Sequence, residues 1–167
     1  SKHSNLTGII HCAGILKDNM LTNQSMEDFE LVWNTKALSA KYLHDATLDR
    51  TLDFFIMYSS VSSLHGNAGQ SNYSAANAYL DWLAEYRNSL GLCGLSIQWG
   101  AWNIKGSMAS PEILKILESQ GIIAIDEFTG YNALDNFFGK SGVVGFMPVK
   151  EIVGKKDNIE LDFIEYL

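Results

Sequence analysis

The sequence predicts an α/β fold built on a parallel sheet, and three observations carry that reading. Short β-branched or apolar runs alternate with longer stretches of helical periodicity. The runs end in small residues (Ala13-Gly14, Ser59-Ser60, Gly100), as strands do when they pass into loops. The run at residues 52–58 (LDFFIMY) is apolar without alternation, which fits a strand covered on both faces.

The elements follow in order. Residues 6–12 (LTGIIHC) read as a first strand. Ser25-Met26-Glu27-Asp28 resembles a capping box, and Phe29, Val32, Trp33, Lys36, Ala40 and Leu43 then recur at helical spacing. Residues 52–58 form the second strand and lead into a loop with Gly66 and Gly69. A long helix covers 71–90, with Gly91 as its C-cap. Residues 95–99 (LSIQW) are a third strand. Short helices are expected at 111–120 and 128–138, and a last strand at 143–149. Binding sites in such sheets lie beyond the carboxyl ends of the strands. The loops at 11–19, 59–72 and 99–108 are therefore the candidates.

Composition narrows the function classes. The 167 residues suffice for one domain with a real core. They are 47% hydrophobic and 19% charged, which is globular rather than disordered. A net charge of -7 argues against nucleic acid and against an anionic membrane surface as partners. No apolar run approaches a membrane span, and no basic-then-apolar signal opens the chain. Cys12 and Cys93 make no disulfide framework, and the four histidines have no metal-ligand spacing, so no metal is expected. The expectation is a cytoplasmic domain. Its opening at Ser1 suggests a piece of a longer polypeptide.

Three features could carry chemistry. Lys36 lies within about 20° of Phe29 and Leu43 on the helical wheel, in the middle of the apolar face. It either snorkels its ammonium out at a helix end or aims it at a site. Tyr73 and Asn77 are four apart on one helix face, among small residues that allow close approach. A core tyrosine with a satisfied hydroxyl is the commoner explanation of that pattern. Ser59-Ser60 at a strand end is by itself only a turn or a cap. Together, Ser60, Tyr73 and Lys36 can converge over one crevice of a parallel sheet. A tyrosine hydroxyl beside a lysine ammonium is expected to titrate below its usual value near 10, and a serine hydroxyl can bond a developing oxyanion. That set suits carbonyl reduction.

The motifs resemble the ketoreductase domain of polyketide synthases and animal-type fatty acid synthases, a branch of the short-chain dehydrogenase/reductase fold. The matching pieces are His11-Cys12-Ala13-Gly14, Tyr58-Ser59-Ser60, the block from Gly66 to Ala78 (GNAGQSNYSAANA) and Trp99-Gly100-Ala101-Trp102. The resemblance runs over residues 6–149. It implies a Rossmann-like parallel sheet lacking its N-terminal strands, with 1–149 the C-terminal part of the catalytic domain and 150–167 a linker or the start of the next region. The family exchanges lysine and asparagine relative to ordinary members of the fold, which matches Asn77 and Lys36. Tyr73 is then the proton donor, Ser60 holds the substrate carbonyl, Lys36 lowers the tyrosine pKa and touches the cofactor ribose, and Asn77 completes the relay. Ser60 is preferred over Ser59 because the family's serine stands 13 residues before the tyrosine. Ala13 and Gly14 join Tyr73 and Lys36 as cofactor-binding residues. His11 and Cys93 are read as structural.

The function the resemblance implies is NADPH-dependent reduction of a β-ketoacyl thioester to a 3-hydroxyacyl thioester. The implied partners are an acyl carrier protein bearing the substrate on phosphopantetheine and the other synthase domains of the same polypeptide. No G-x-G-x-x-G occurs, so the pyrophosphate loop would lie upstream. Asp18, Asn72 and Trp99 would orient the substrate, with Trp99 and Trp102 packing beneath nicotinamide and substrate. Residues 108–121 correspond to the family's mobile lid. One product class of the family carries Leu-Asp-Asp after H-x-A-G, and the other a tryptophan eight residues before the tyrosine. Here the motif reads Leu16-Lys17-Asp18, the tryptophan position is His65, and Asn72 precedes the tyrosine, which implies the D-configured alcohol. Two alternatives are a non-reducing scaffold domain of the same kind and a free-standing reductase of small ketones.

Overall fold

The computed structural model describes residues 5–150. The tail from 151 onward, read above as linker, falls outside the described residues.

Four parallel strands form one sheet in the order β1-β2-β3-β4. They are β1 Gly8–His11, β2 Phe54–Ser60, β3 Leu95–Trp99 and β4 Gly142–Phe146. The registers run Gly8 against Phe54, Ile56 against Leu95 and Leu95 against Gly142. All carboxyl ends therefore point to one rim. The strands form where the sequence predicts, with β2 shifted two residues toward its serines.

Between β1 and β2 the chain is helical from Met26 to Asp45 without a break. It comprises α1 (Met26–Trp33), a π-helical turn (Asn34–Leu38) and α2 (Ser39–Asp45). Ser25 caps α1 by accepting the Asp28 N–H at 3.0 Å. The π turn, in which the Ser39 N–H reaches the Asn34 carbonyl, holds Lys36. Such widened turns cluster at functional sites, and helical periodicity alone does not reveal them.

After β2 comes a one-turn helix α3 (Ser62–His65), within the stretch expected from sequence to be a loop. The long helix α4 (Ser71–Ser89) follows. It ends as expected at Gly91, whose φ of 73° suits a residue without Cβ; the next N–H, of Leu92, returns to the Arg87 carbonyl at 3.0 Å. Helices α5 (Pro111–Ser119) and α6 (Glu127–Phe137) precede β4.

Pleating divides the sheet into two faces. Phe55 and Met57 of β2 pack with Ala40, Leu80, Leu83 and Ala84 under α2 and α4. Ile56, Leu95, Ile97 and Trp99 face the other way and pack with Ile125, Ala133 and Phe137 of the α6 layer. Gly130 lets α6 approach: a Cβ there would stand 2.1 Å from the Trp102 ring. A third cluster of Val32, Ala37 and Ala76 joins the π turn to α4, and Tyr73 packs against it. That cluster fixes Lys36 and Tyr73 relative to one another. Among the described residues no helix is long and apolar enough to cross a membrane.

Candidate active site

Lys36, Ser60, Tyr73 and Asn77 come together at the carboxyl rim, brought by three pieces of the fold: the π turn, the end of β2, and α4, which carries both Tyr73 and Asn77. The π turn carries Lys36 inward rather than out: the residue is 3% exposed, so the snorkelling alternative is excluded. Its Nζ donates to the Tyr58 carbonyl at 2.8 Å and lies 5.3 Å from the centre of the Tyr73 ring. Burial lowers its pKa to about 8, against the opposing pull of Cys12 and Asp81. A protonated His11 Nε2 suits the 2.8 Å contact with the Lys36 carbonyl, so the histidine steadies the π turn as a structural hydrogen bonder.

Tyr73 stands in the first turn of α4. Burial raises its pKa above the usual 10; hydrogen bonding from Asn77 works downward, Asp18 upward and Ser60 downward. The expectation of a tyrosine pKa lowered by the lysine is therefore corrected. The ammonium lies over the ring and bonds the Tyr58 carbonyl, while the phenol is desolvated against the third cluster. Asn77, one turn on, donates its Nδ2 to the Tyr73 carbonyl at 2.9 Å, and its Oδ1 is buried with no partner. Ser59 is turned away, its hydroxyl on the Asn77 carbonyl at 3.3 Å. Ser60 Oγ accepts the Ser62 N–H at 3.2 Å, which leaves its own proton to give. The alternation of the strand end thus separates the two serines and favours Ser60.

Ala13 and Gly14 follow β1 on the same rim. A Cβ on Gly14 would lie 3.5 Å from Lys36 Nζ and 3.2 Å from Met108 Cε. The glycine keeps a space beside the ammonium, which Met108 overhangs from the segment before α5.

The residues expected to orient a substrate behave differently from one another. Asp18 accepts from Gln70 Nε2 at 2.8 Å. Asn72 is fully buried: its Nδ2 donates to the Lys17 carbonyl at 2.9 Å, and its Oδ1 accepts the Tyr73 N–H at 2.7 Å. With the Asn19 N–H on the Gly69 carbonyl at 2.8 Å, these bonds strap the loop after β1 to the loop before Tyr73. Asn72 acts on that strap. Trp99 is packed in the α6-side core with Tyr58, Trp102, Phe137 and Phe146.

Sequence reading missed a polar cluster behind Ser60. Asp81 of α4 takes hydrogen bonds from Ser63 Oγ and Ser96 Oγ, each at 2.6 Å, and from Gln98 Nε2 at 2.9 Å. The alternation LSIQW, with polar residues at 96 and 98 inside a buried strand, is the signal that could have pointed to it.

The chain is similar to known proteins in both sequence and fold. The family model described as KR domain matches residues 1–104. The phenolphthiocerol synthesis polyketide synthase type I Pks15/1 of Mycobacterium marinum is 44% identical over 103 residues, 62% of this chain and 5% of that protein. Polyketide synthase GfsA of Streptomyces halstedii is 46% identical over 109 residues, 65% of this chain and 1% of that protein. Among solved structures, the first ketoreductase of the tylosin polyketide synthase is 39% identical with a TM-score of 0.78, over 86% of this chain and 32% of that one. A ketoreductase domain from the bacillaene assembly line gives 33% and 0.82, over 90% of this chain and 38% of that one. The chain thus spans a small fraction of these synthases and about a third of the solved ketoreductases.

Proposed function

The chain belongs to the KR domain family, the ketoreductase domains of polyketide synthases, and from that premise we propose that it carries the proton-donating half of an NADPH-dependent β-ketoacyl reductase. The observation that supports this most directly is the buried Lys36 ammonium. A charge 3% exposed, over the Tyr73 ring and beside the space Gly14 keeps open, has no purpose in packing alone.

The residues present fit the nicotinamide-ribose end of such a cofactor. Lys36 uses one N–H on Tyr58 and has others to give, Gly14 leaves room, and Asn77 Oδ1 is a buried acceptor without a partner. When bound, the nicotinamide supplies the hydride. The Ser60 hydroxyl donates to the substrate carbonyl oxygen and holds it in place. Tyr73, kept protonated by its raised pKa, gives its proton to that oxygen as negative charge develops there. Lys36 favours the tyrosinate that remains, the phenol regains its proton from solvent water, and Asn77 Oδ1 is the acceptor that would hold that water. The substrate is a β-ketoacyl thioester carried by an acyl carrier protein, and neighbouring synthase domains of one polypeptide supply and consume it.

The test uses a complete ketoreductase containing this segment and a diketide thioester. Tyr73→Phe is expected to cut kcat by about 10²- to 10⁴-fold with the fold intact by circular dichroism, the range a positioned proton donor contributes. Turnover at the parent rate would overturn the assignment.

A further inference from the structure

We propose that Asp81 is a positioning residue for Ser60, acting through the hydroxyl of Ser63. The proposal rests on the reductase reading above and adds a residue to it.

Asp81 stands on α4 at i+8 from Tyr73, with Asn77 between them at i+4, so all three lie along one slowly turning line of the helix. Its carboxylate is held by three donors from two other elements. Ser63 Oγ, on α3, lies 2.6 Å from Oδ2, and Gln98 Nε2, on β3, lies 2.9 Å from the same oxygen. Ser96 Oγ, also on β3, lies 2.6 Å from Oδ1. Charge-assisted bonds this short are the strong ones, and they hold a carboxylate by its acceptor capacity. The amide of Gln98 spends its second proton on Ser63 Oγ at 3.0 Å, so Ser63 is gripped from two sides.

Ser63 is where the cluster meets the site. Its Oγ lies 2.9 Å from the Ser60 backbone carbonyl, so its single proton is shared between that carbonyl and the carboxylate. Ser60 Oγ in turn accepts the Ser62 N–H at 3.2 Å. The whole turn 60–63, including the hydroxyl that must face the substrate carbonyl, is thus referred to Asp81. Because Asp81 and Tyr73 share one helix, the cluster sets the position of the Ser60 hydroxyl against that of the Tyr73 phenol. A reaction that needs both on one oxygen is sensitive to displacements of about 1 Å.

The experiment measures kcat and KM of a complete ketoreductase with a diketide thioester and NADPH. Ser63→Ala and Asp81→Ala are expected to lower kcat by about 10- to 100-fold while KM for NADPH stays within about two-fold. Asp81→Asn, which keeps the shape but one acceptor oxygen, falls between. In a Ser60→Ala background, adding Asp81→Ala or Ser63→Ala is expected to cause no further loss, because the group they position is gone. If Asp81→Ala does not fold, Ser63→Ala decides, since it leaves Ser96 and Gln98 on the carboxylate. Parental kcat in Ser63→Ala would overturn the proposal. So would an equal loss on adding Asp81→Ala in the presence and absence of the Ser60 hydroxyl, the signature of a purely structural role. Parental turnover by Ser60→Ala and Tyr73→Phe would instead remove the reductase reading, and the proposal with it.

Discussion

Lys36 stands over the ring of Tyr73, its Nζ 5.3 Å from the ring centre, and gives a hydrogen bond to the Tyr58 carbonyl at 2.8 Å. The two ionisable groups are thereby pushed apart. Burial raises the phenol above its usual value and lowers the ammonium to about 8. In reduction the phenol must begin protonated, and it does so across the whole neutral and mildly alkaline range. The ammonium loses its charge above about pH 8. The expected outcome is a kcat/KM that declines as pH rises through about 8 in the complete ketoreductase. Lys36→Met should remove that limb and lower the rate roughly 100-fold at neutral pH. A pH–rate profile of the two proteins checks both statements; a parent profile flat to pH 10 would contradict them.

The same lysine costs stability. Its folded-state pKa, about 8, lies below the unfolded value of 10.5, so the folded state disfavours the charged form. The penalty is complete below about pH 8, shrinks as pH rises from there, and is gone above about 10.5. A shift of this size corresponds to roughly 3 kcal/mol, less whatever the Tyr58 hydrogen bond returns. Lys36→Met is therefore expected to raise the denaturation midpoint at pH 7, with the advantage narrowing above pH 8. Urea denaturation of parent and variant at pH 7 and pH 9.5 measures it. Equal midpoints at pH 7 would count against a charged, desolvated lysine.

Away from the site, His44 and Arg87 form a buried pair with Arg87 Nη1 3.1 Å from His44 Nδ1. Arginine can only donate, so that ring nitrogen accepts and carries no proton. Burial first, then the Arg87 charge, lower the histidine pKa from 6.5. Stability from this pair is full above pH 6.5 and is lost as pH falls from there through the lower folded-state value. His44→Gln, which keeps an acceptor without a titrating ring, should lose less stability between pH 7.5 and pH 5 than the parent. A residual slope is expected from His11, whose pKa burial also lowers. Identical pH dependence in parent and variant would remove His44 from the account.

Much of this was legible in the residues. The helix that carries Tyr73, its glycine stop and the strand LSIQW follow from local rules of capping and burial. Lys36 announced itself by standing in an apolar stripe. Three things could not be read. The π turn at 34–38 depends on a hydrogen-bond choice that leaves the periodicity of apolar residues nearly unchanged. The balance between burial and charge on Tyr73 is a property of distances, which spacing does not supply. Trp99 alternates into the α6-side core, a packing that the family resemblance, the basis for placing it beneath nicotinamide and substrate, does not specify.

The strap between the loop after β1 and the loop before Tyr73 bears on the configuration of the product. Where the related ketoreductases of one product class have two aspartates, this chain has Lys17 and Asp18. The structure gives the exchange little leverage. Asn72 bonds the backbone carbonyl of residue 17 at 2.9 Å, which any side chain leaves in place, and the Lys17 ammonium turns outward to Asp28 at 3.7 Å. Asp18, the aspartate retained, is the one that engages Gln70 at 2.8 Å. If these loops decide the side from which the tethered acyl chain enters, and the nicotinamide face is fixed, then entry side selects the ketone face that receives hydride. The expected product is the D-configured 3-hydroxyacyl thioester. Lys17→Asp should leave that configuration unchanged. Asn72→Ala, which releases both the Lys17 carbonyl and the Tyr73 N–H, should erode it about 10-fold or more toward the L alcohol. Chiral chromatography of the product formed by the complete ketoreductase from a diketide thioester reads all three. A predominantly L alcohol from the parent protein would show that the strap does not govern entry.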